Sequence, residues 1–159
     1  MYKSHHMLEY TDKFWRVNGE LHREDGPAME RANGDKEWWI NGSPHRKDGP
    51  AKEFINGDKE WWFNGKLHRK NGPAIEYGNG NKFWLINGRF HREDGPAKEF
   101  VNGNKFWFID NKLHRENGPA IEYEDGIVEW YLNDEHVFYD PETWDQLVQE
   151  NHIKHIMGI

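Results

Sequence analysis

Hydrophobic positions in this chain fall in short clusters, broken by Gly, Asn and Pro, and the clusters recur with a fixed spacing. One unit reads Pro73-Ala74-Ile75-Glu76-Tyr77, then Gly78-Asn79-Gly80-Asn81, then Lys82-Phe83-Trp84-Leu85-Ile86. Aromatic and β-branched residues around an Asn-Gly pair predict a β-hairpin, because a tight type I′ turn needs positive φ twice. A longer connection follows, Asn87 to Gly95, and closes on Pro96. Proline has no N–H to give a ladder, so it suits the first residue of a strand. Gly and Pro every few residues exclude a helix through any unit.

The spacing is 23 residues. The string His-Arg-x-(Asp or Asn)-Gly-Pro-Ala begins at His22, His45, His68, His91 and His114. Trp15, Trp38, Trp61, Trp84, Trp107 and Trp130 share one phase. So do Glu30, Glu53, Glu76, Glu99 and Glu122, and two separate series of Asn-Gly pairs starting at Asn18 and Asn33. Such a period marks a repeat architecture, in which each hairpin is marginal alone and is stabilised by its neighbours. The predicted fold is all-β: an elongated antiparallel β-hairpin array, a twisted single-sheet ribbon of about five and a half units over residues 1–133. Equivalent residues would lie about 10 Å apart along it, two strand spacings. Leu8-Glu9-Tyr10 resembles Ile121-Glu122-Tyr123 and supplies a starting half-unit.

With Asn79-Gly80 as a two-residue loop, Ile75 would face Trp84 and Tyr77 would face Lys82. The face of Ile75, Trp84 and Ile86 is then the expected core, with Trp84 largely buried. The period fails at Val137, which stands where a sixth His would be. Asp140-Pro141 reads as a helix start. Residues 134–159 are therefore expected to form an acidic cap with a helix at about 141–156. Trp144, Leu147, Val148, Ile153, Ile156 and Met157 make its apolar side.

Composition narrows the function classes. The 159 residues include no Cys, which excludes a disulfide scaffold, a Cys-based zinc site and a thiol nucleophile. Nine Trp, nine Phe and six Tyr argue for a folded chain despite 31% charged residues. No apolar run approaches a membrane span, and Met1 to Met7 lacks a secretory apolar region, so a cytoplasmic protein without membrane contact is expected. The net charge of −7 resides at the C-terminal end: residues 124–159 carry −8 and residues 1–123 carry +1. A duplex-DNA binder usually shows a basic excess, so nucleic acid is a weak expectation.

The unit Trp61, Asn64-Gly65, His68 and Gly72 resembles the MORN repeat, a family of 23-residue β-hairpin units. It departs in having Arg69 directly after the His, where MORN units have Gly, and in the later Pro73-Ala74. The chain is thus similar to a divergent MORN-like variant of the kind found in bacterial and phage proteins, over about residues 8–133. The resemblance implies an interaction scaffold.

The His-Arg pairs are the foremost chemistry. Arg23, Arg46, Arg69, Arg92 and Arg115, with His45, His68, His91, Trp39 and Trp62, are the partner-contact candidates, since Trp and Arg dominate binding energies at interfaces. The competing reading is structural: Arg pairs with the phase-locked Glu, or His donates to a loop carbonyl, and so fixes the long turn. Repetition in every unit favours that reading, because a unique active site would occur once. Catalytic residues are not expected: Ser4 and Ser43 are isolated, and no carboxylate pair is singled out. His152 and His155 sit one helical turn apart but lack a third ligand, so no metal and no cofactor are expected. The reading that results is a non-enzymatic scaffold binding a protein partner, such as a phage or bacterial inhibitor or regulator. The alternative is single-stranded nucleic acid held by Trp stacking and Arg contacts.

Overall fold

A computed structural model describes residues 11–158. The structure is mostly β, with a 12-stranded antiparallel sheet, five two-stranded hairpins beside it and one C-terminal helix. The long sheet is a meander of neighbouring strands and does not close into a barrel. The expected starting half-unit at Leu8-Glu9-Tyr10 lies outside the described residues.

Each 23-residue unit contributes to both rows. Lys82–Phe83 pairs with Ile75–Glu76 and Lys98–Glu99 in the long sheet. Leu85–Ile86 pairs with Arg89–Phe90 in a small hairpin. Trp84 joins the two: its N–H donates to the Ala97 carbonyl at 2.8 Å, and its carbonyl accepts the His91 N–H at 3.1 Å. The small hairpins are also stitched to one another, as where Gly88 N–H donates to the Leu67 carbonyl at 2.8 Å.

The two Asn-Gly series make different turns. Asn41 and Gly42 have φ of 48° and 69°, the double positive φ of a type I′ turn, and their flanking residues Ile40 and Ser43 pair directly. Asn18, Asn64 and Asn87 behave alike. Asn79, assigned the type I′ turn from sequence, does not have positive φ; Gly80 alone does, at 98°. Tyr77 donates to the Asn81 carbonyl and accepts from Gly80, both at 2.9 Å, so the loop has three residues, Gly78 to Gly80. This is a type I turn followed by a bulged Gly. The Asn79 side chain stabilises it by accepting the Asn81 N–H at 3.0 Å.

That extra residue overturns the expected core. Adding one residue to a hairpin loop sends each side chain of the return strand to the opposite face. Ile75 therefore stands opposite Phe83, not Trp84. The core is the face of Ile75, Phe83 and Leu85, joined by Ala74, Leu67, Tyr77 and Phe90. Trp84 is half-buried on the other side of the strand.

Ala28, Ala51, Ala74, Ala97 and Ala120 are all 0% exposed. Each gives its carbonyl to the phase-locked Trp of its row, as Ala74 does to Trp61 at 2.8 Å. No space remains for a larger side chain at this crossing of the two rows. Ala74→Leu is expected to destabilise the protein by about 2 kcal/mol through overpacking, read as a lower urea midpoint with an unchanged slope.

The helix, α1 (Trp144–Met157), starts three residues later than the sequence suggested. Asp140 instead closes the preceding turn: its carboxylate accepts the Glu142 N–H at 2.9 Å and its carbonyl accepts the Trp144 N–H at 2.9 Å. Only the first part of the expected apolar side is covered. Trp144 is 7% exposed, and Leu147 and Val148 are half-buried. Ile153, Ile156 and Met157 point to solvent, Ile156 at 82% exposure. No helix among the described residues is long and apolar enough to cross a membrane.

Candidate functional site

The arginine of each repeat is held on both faces and along one edge by its own unit. The Arg69 guanidinium lies 3.9 Å from the centre of the Trp61 ring. Its Nη1 donates to the Pro73 carbonyl at 3.1 Å and to Glu76 Oε1 at 2.8 Å. A Cβ on Gly72 would come within 3.0 Å of the Arg69 guanidinium carbon. The same sandwich of Trp, Arg and Gly recurs: Arg23 on Trp15, Arg46 on Trp38, Arg92 on Trp84 and Arg115 on Trp107, at 3.9 to 4.1 Å. The repeated string thus has a physical account. Arg needs an aromatic plate on one face, a residue without a side chain on the other, and the Pro carbonyl and Glu carboxylate at its edge. Arg23 and Arg92 also hydrogen-bond Asp25 and Asp94 at 2.8 and 2.9 Å, which holds those carboxyls below the usual carboxylate range.

The histidines reach across to the next unit instead of donating to a loop carbonyl. His45 Nδ1 lies 2.8 Å from the Asn64 side-chain oxygen and 3.2 Å from the Asn64 backbone nitrogen. His22 meets Asn41 and His68 meets Asn87 in the same way. His91 Nδ1 lies 3.2 Å from the Asp110 carboxylate and 3.3 Å from its backbone nitrogen, and His114 Nδ1 accepts the Asn133 N–H at 3.2 Å. Each His therefore clips its loop to the type I′ turn of its successor. A second clip escaped the sequence reading. Asp12, Asp35, Asp58, Asn81 and Asn104 each accept a backbone N–H from the next repeat, at 2.7 to 2.9 Å. An Asp-or-Asn position at fixed phase was its only signal.

Trp39 and Trp62 stand on the Leu85 phase, on the core side of the small hairpins, and are half-buried. Their indole N–H groups donate to Glu37 at 3.1 Å and Glu60 at 2.7 Å, two residues back. The Lys52 ammonium lies 5.6 and 5.1 Å from the two rings. Glu37, only 5% exposed, also meets Arg31 at 3.6 Å and Lys52 at 3.7 Å. From the second unit on, these positions change together along the chain. Glu37, Glu60 and Glu129 are followed two residues later by a donor: Trp39, Trp62 or Tyr131, the last at 2.8 Å. Phe83 and Phe106 are followed by Leu85 and Phe108, which have no donor. Trp62→Leu removes the donor that satisfies Glu60 and should cost about 2 kcal/mol. Adding Glu60→Phe rebuilds the Phe83–Leu85 arrangement. The double variant should then be less destabilised than the sum of the singles by about 1 kcal/mol, measured by urea unfolding in a double-mutant cycle.

What the repeats leave open lies between successive His-Arg loops. One groove has Trp84 and Ile86 as its floor, Arg69 and Gly72 on one wall, and His91 and Arg92 on the other. Equivalent grooves lie over Trp38 and Ile40 and over Trp107 and Ile109. The five arginines, His45 and His91 line these grooves or border them, whereas Trp39 and Trp62 belong to the interior row. No family model and no curated protein sequence matches the chain.

Proposed function

We propose that the protein is a non-enzymatic scaffold of MORN-like hairpin repeats that binds a protein partner through its row of loop grooves. The observation that carries this reading is the repetition of one solvent-open groove, with a Trp and Ile floor between cationic and carboxylate walls, along a cross-linked array. Half-buried aromatic floors with Arg at the rim are the usual composition of interface centres. The groove-lining Arg, His and carboxylate groups recur from unit to unit, and a reaction centre needs a distinct arrangement at one place. Nucleic-acid stacking is the weaker reading, because the guanidinium already covers a face of each of Trp15, Trp38, Trp61, Trp84 and Trp107. A cytoplasmic inhibitor or regulator of bacterial or phage origin is the narrower form of the proposal.

The test is affinity capture from the native host, with wild-type protein and an Ile40→Glu, Ile86→Glu, Ile109→Glu variant as parallel baits. A protein retained by the first and lost with the second supports the reading. Capture of RNA or DNA with a steep salt dependence would overturn it.

A further inference from the structure

The last groove of the array is occupied by the chain's own Trp144. Its indole N–H donates to the Glu116 carbonyl at 2.7 Å, and its ring meets Trp130 edge to face at 4.8 Å. Moved back by one repeat, those two residues are Glu93 and Trp107, which line the open groove of the fourth unit. Trp130 has no arginine at the position after its unit's histidine phase; Phe138 stands there, 90% exposed. Tyr139 supplies the missing plate instead, stacked on Trp130 at 3.9 Å and 9°. The floor of the second groove is aromatic as well. Phe63, on the phase of Ile40 and Ile86, lies between His45 and His68, at 4.7 and 6.1 Å from their rings. Phe63 is thus an aromatic floor residue, 42% exposed; Trp144 fills the last groove, while those over Ile40, Ile86 and Ile109 are open.

We infer that the open grooves receive tryptophan side chains from a protein partner, in the manner that Trp144 shows. The indole ring meets the edge of the groove-floor Trp, and its N–H is taken by the carbonyl after the loop arginine: Glu24, Lys70 or Glu93. Among the described residues no hydrogen bond engages those three carbonyls. Two neighbouring grooves, over Ile86 and Ile109, lie about 10 Å apart at two strand spacings. A partner segment that presents two tryptophans at that separation would engage both. This inference rests on the partner-binding reading and specifies its ligand chemistry.

The probe is an acetylated peptide of this chain's residues 140–146, Asp140 to Gln146, titrated into the full protein with isotope-labelled isoleucine methyls. The expected result is saturable shifts at Ile40, Ile86 and Ile109, with Ile55 and Ile75 unmoved. A peptide carrying Trp144→Ala should bind at least tenfold more weakly. Ile86→Glu, which leaves the folded spectrum in place, should silence its own groove and spare Ile40. Equal binding of the two peptides, or no saturable shift, would overturn the inference. So would a dimer of the protein that Trp144→Ala dissolves, because the occupant would then be a second copy. Loss of peptide binding together with retained, groove-independent capture of a partner would sink the groove assignment and leave the scaffold reading standing.

Discussion

Arg69→Ala is expected to destabilise the array by about 3 kcal/mol. The guanidinium contributes a stacked cation–π contact with Trp61, of about 1–2 kcal/mol when largely covered. It also makes charge-assisted bonds to Pro73 and Glu76 at 3.1 and 2.8 Å, of the stronger class of hydrogen bond. Alanine would leave the Trp61 face and the Gly72 backbone without the plate between them. Arg69→Lys should recover only part of the loss, because an ammonium cannot lie flat on the ring and reach both oxygens. Thermal and urea unfolding of the two variants measures this. A variant with an unchanged melting temperature and weakened partner binding would instead make Arg69 a contact residue. The same substitution at Arg23 should cost less. Its Nη1 is 4.0 Å from Glu30, against 2.8 Å for Arg69 and Glu76, and its bond to Asp25 is exposed.

The period itself was legible, since Gly, Pro and Asn at fixed phase dictate turns whatever packs around them; that the connection from Asn87 opens with a second hairpin, Leu85–Ile86 against Arg89–Phe90, was not. Which turn each Asn-Gly makes was not. Asn41-Gly42 and Asn79-Gly80 are the same dipeptide. They differ in what surrounds them: the Asn79 side chain folds back onto the N–H of Asn81, while Asn41 is drawn to His22 of the preceding unit. The inter-unit contact accompanies the first turn but does not decide it, since Asn18 has the same positive φ of 51° with no histidine of a preceding unit to meet. The core face followed from that choice. The structural reading of the His-Arg pairs depended less on such detail, because a pair repeated in all five copies has to serve a setting that recurs with it. The Glu37–Trp39 and Glu60–Trp62 pairs were visible only as residues, not as partners. Alternation puts i and i+2 on one face, but the interior had been placed on the opposite one.

The C-terminal helix has a larger effect to show. Trp144→Ala is expected to cost about 3–5 kcal/mol, the range for a large aromatic truncated in a packed site. The residue is nearly covered, meets Trp130 and Tyr139 edge to face, and satisfies the Glu116 carbonyl. The remaining anchors of α1 are few: His152 to Glu116 at 3.0 Å and Asn151 to Asn133 at 2.6 Å, both toward its middle. Surface pairs of this kind contribute little without the packing that positions them. In a repeat array each unit is stabilised by its neighbours, so the loss should fall on the last unit first. Hydrogen exchange should therefore quicken at Trp130 to Leu132 and through α1, while the amides of Ile75 and Phe83 keep their protection. The helical part of the far-ultraviolet dichroism should fall at the same time. Uniform loss of protection along the whole chain would contradict the picture of α1 as a local cap. It would mean that occupancy of the last groove holds the entire row in place.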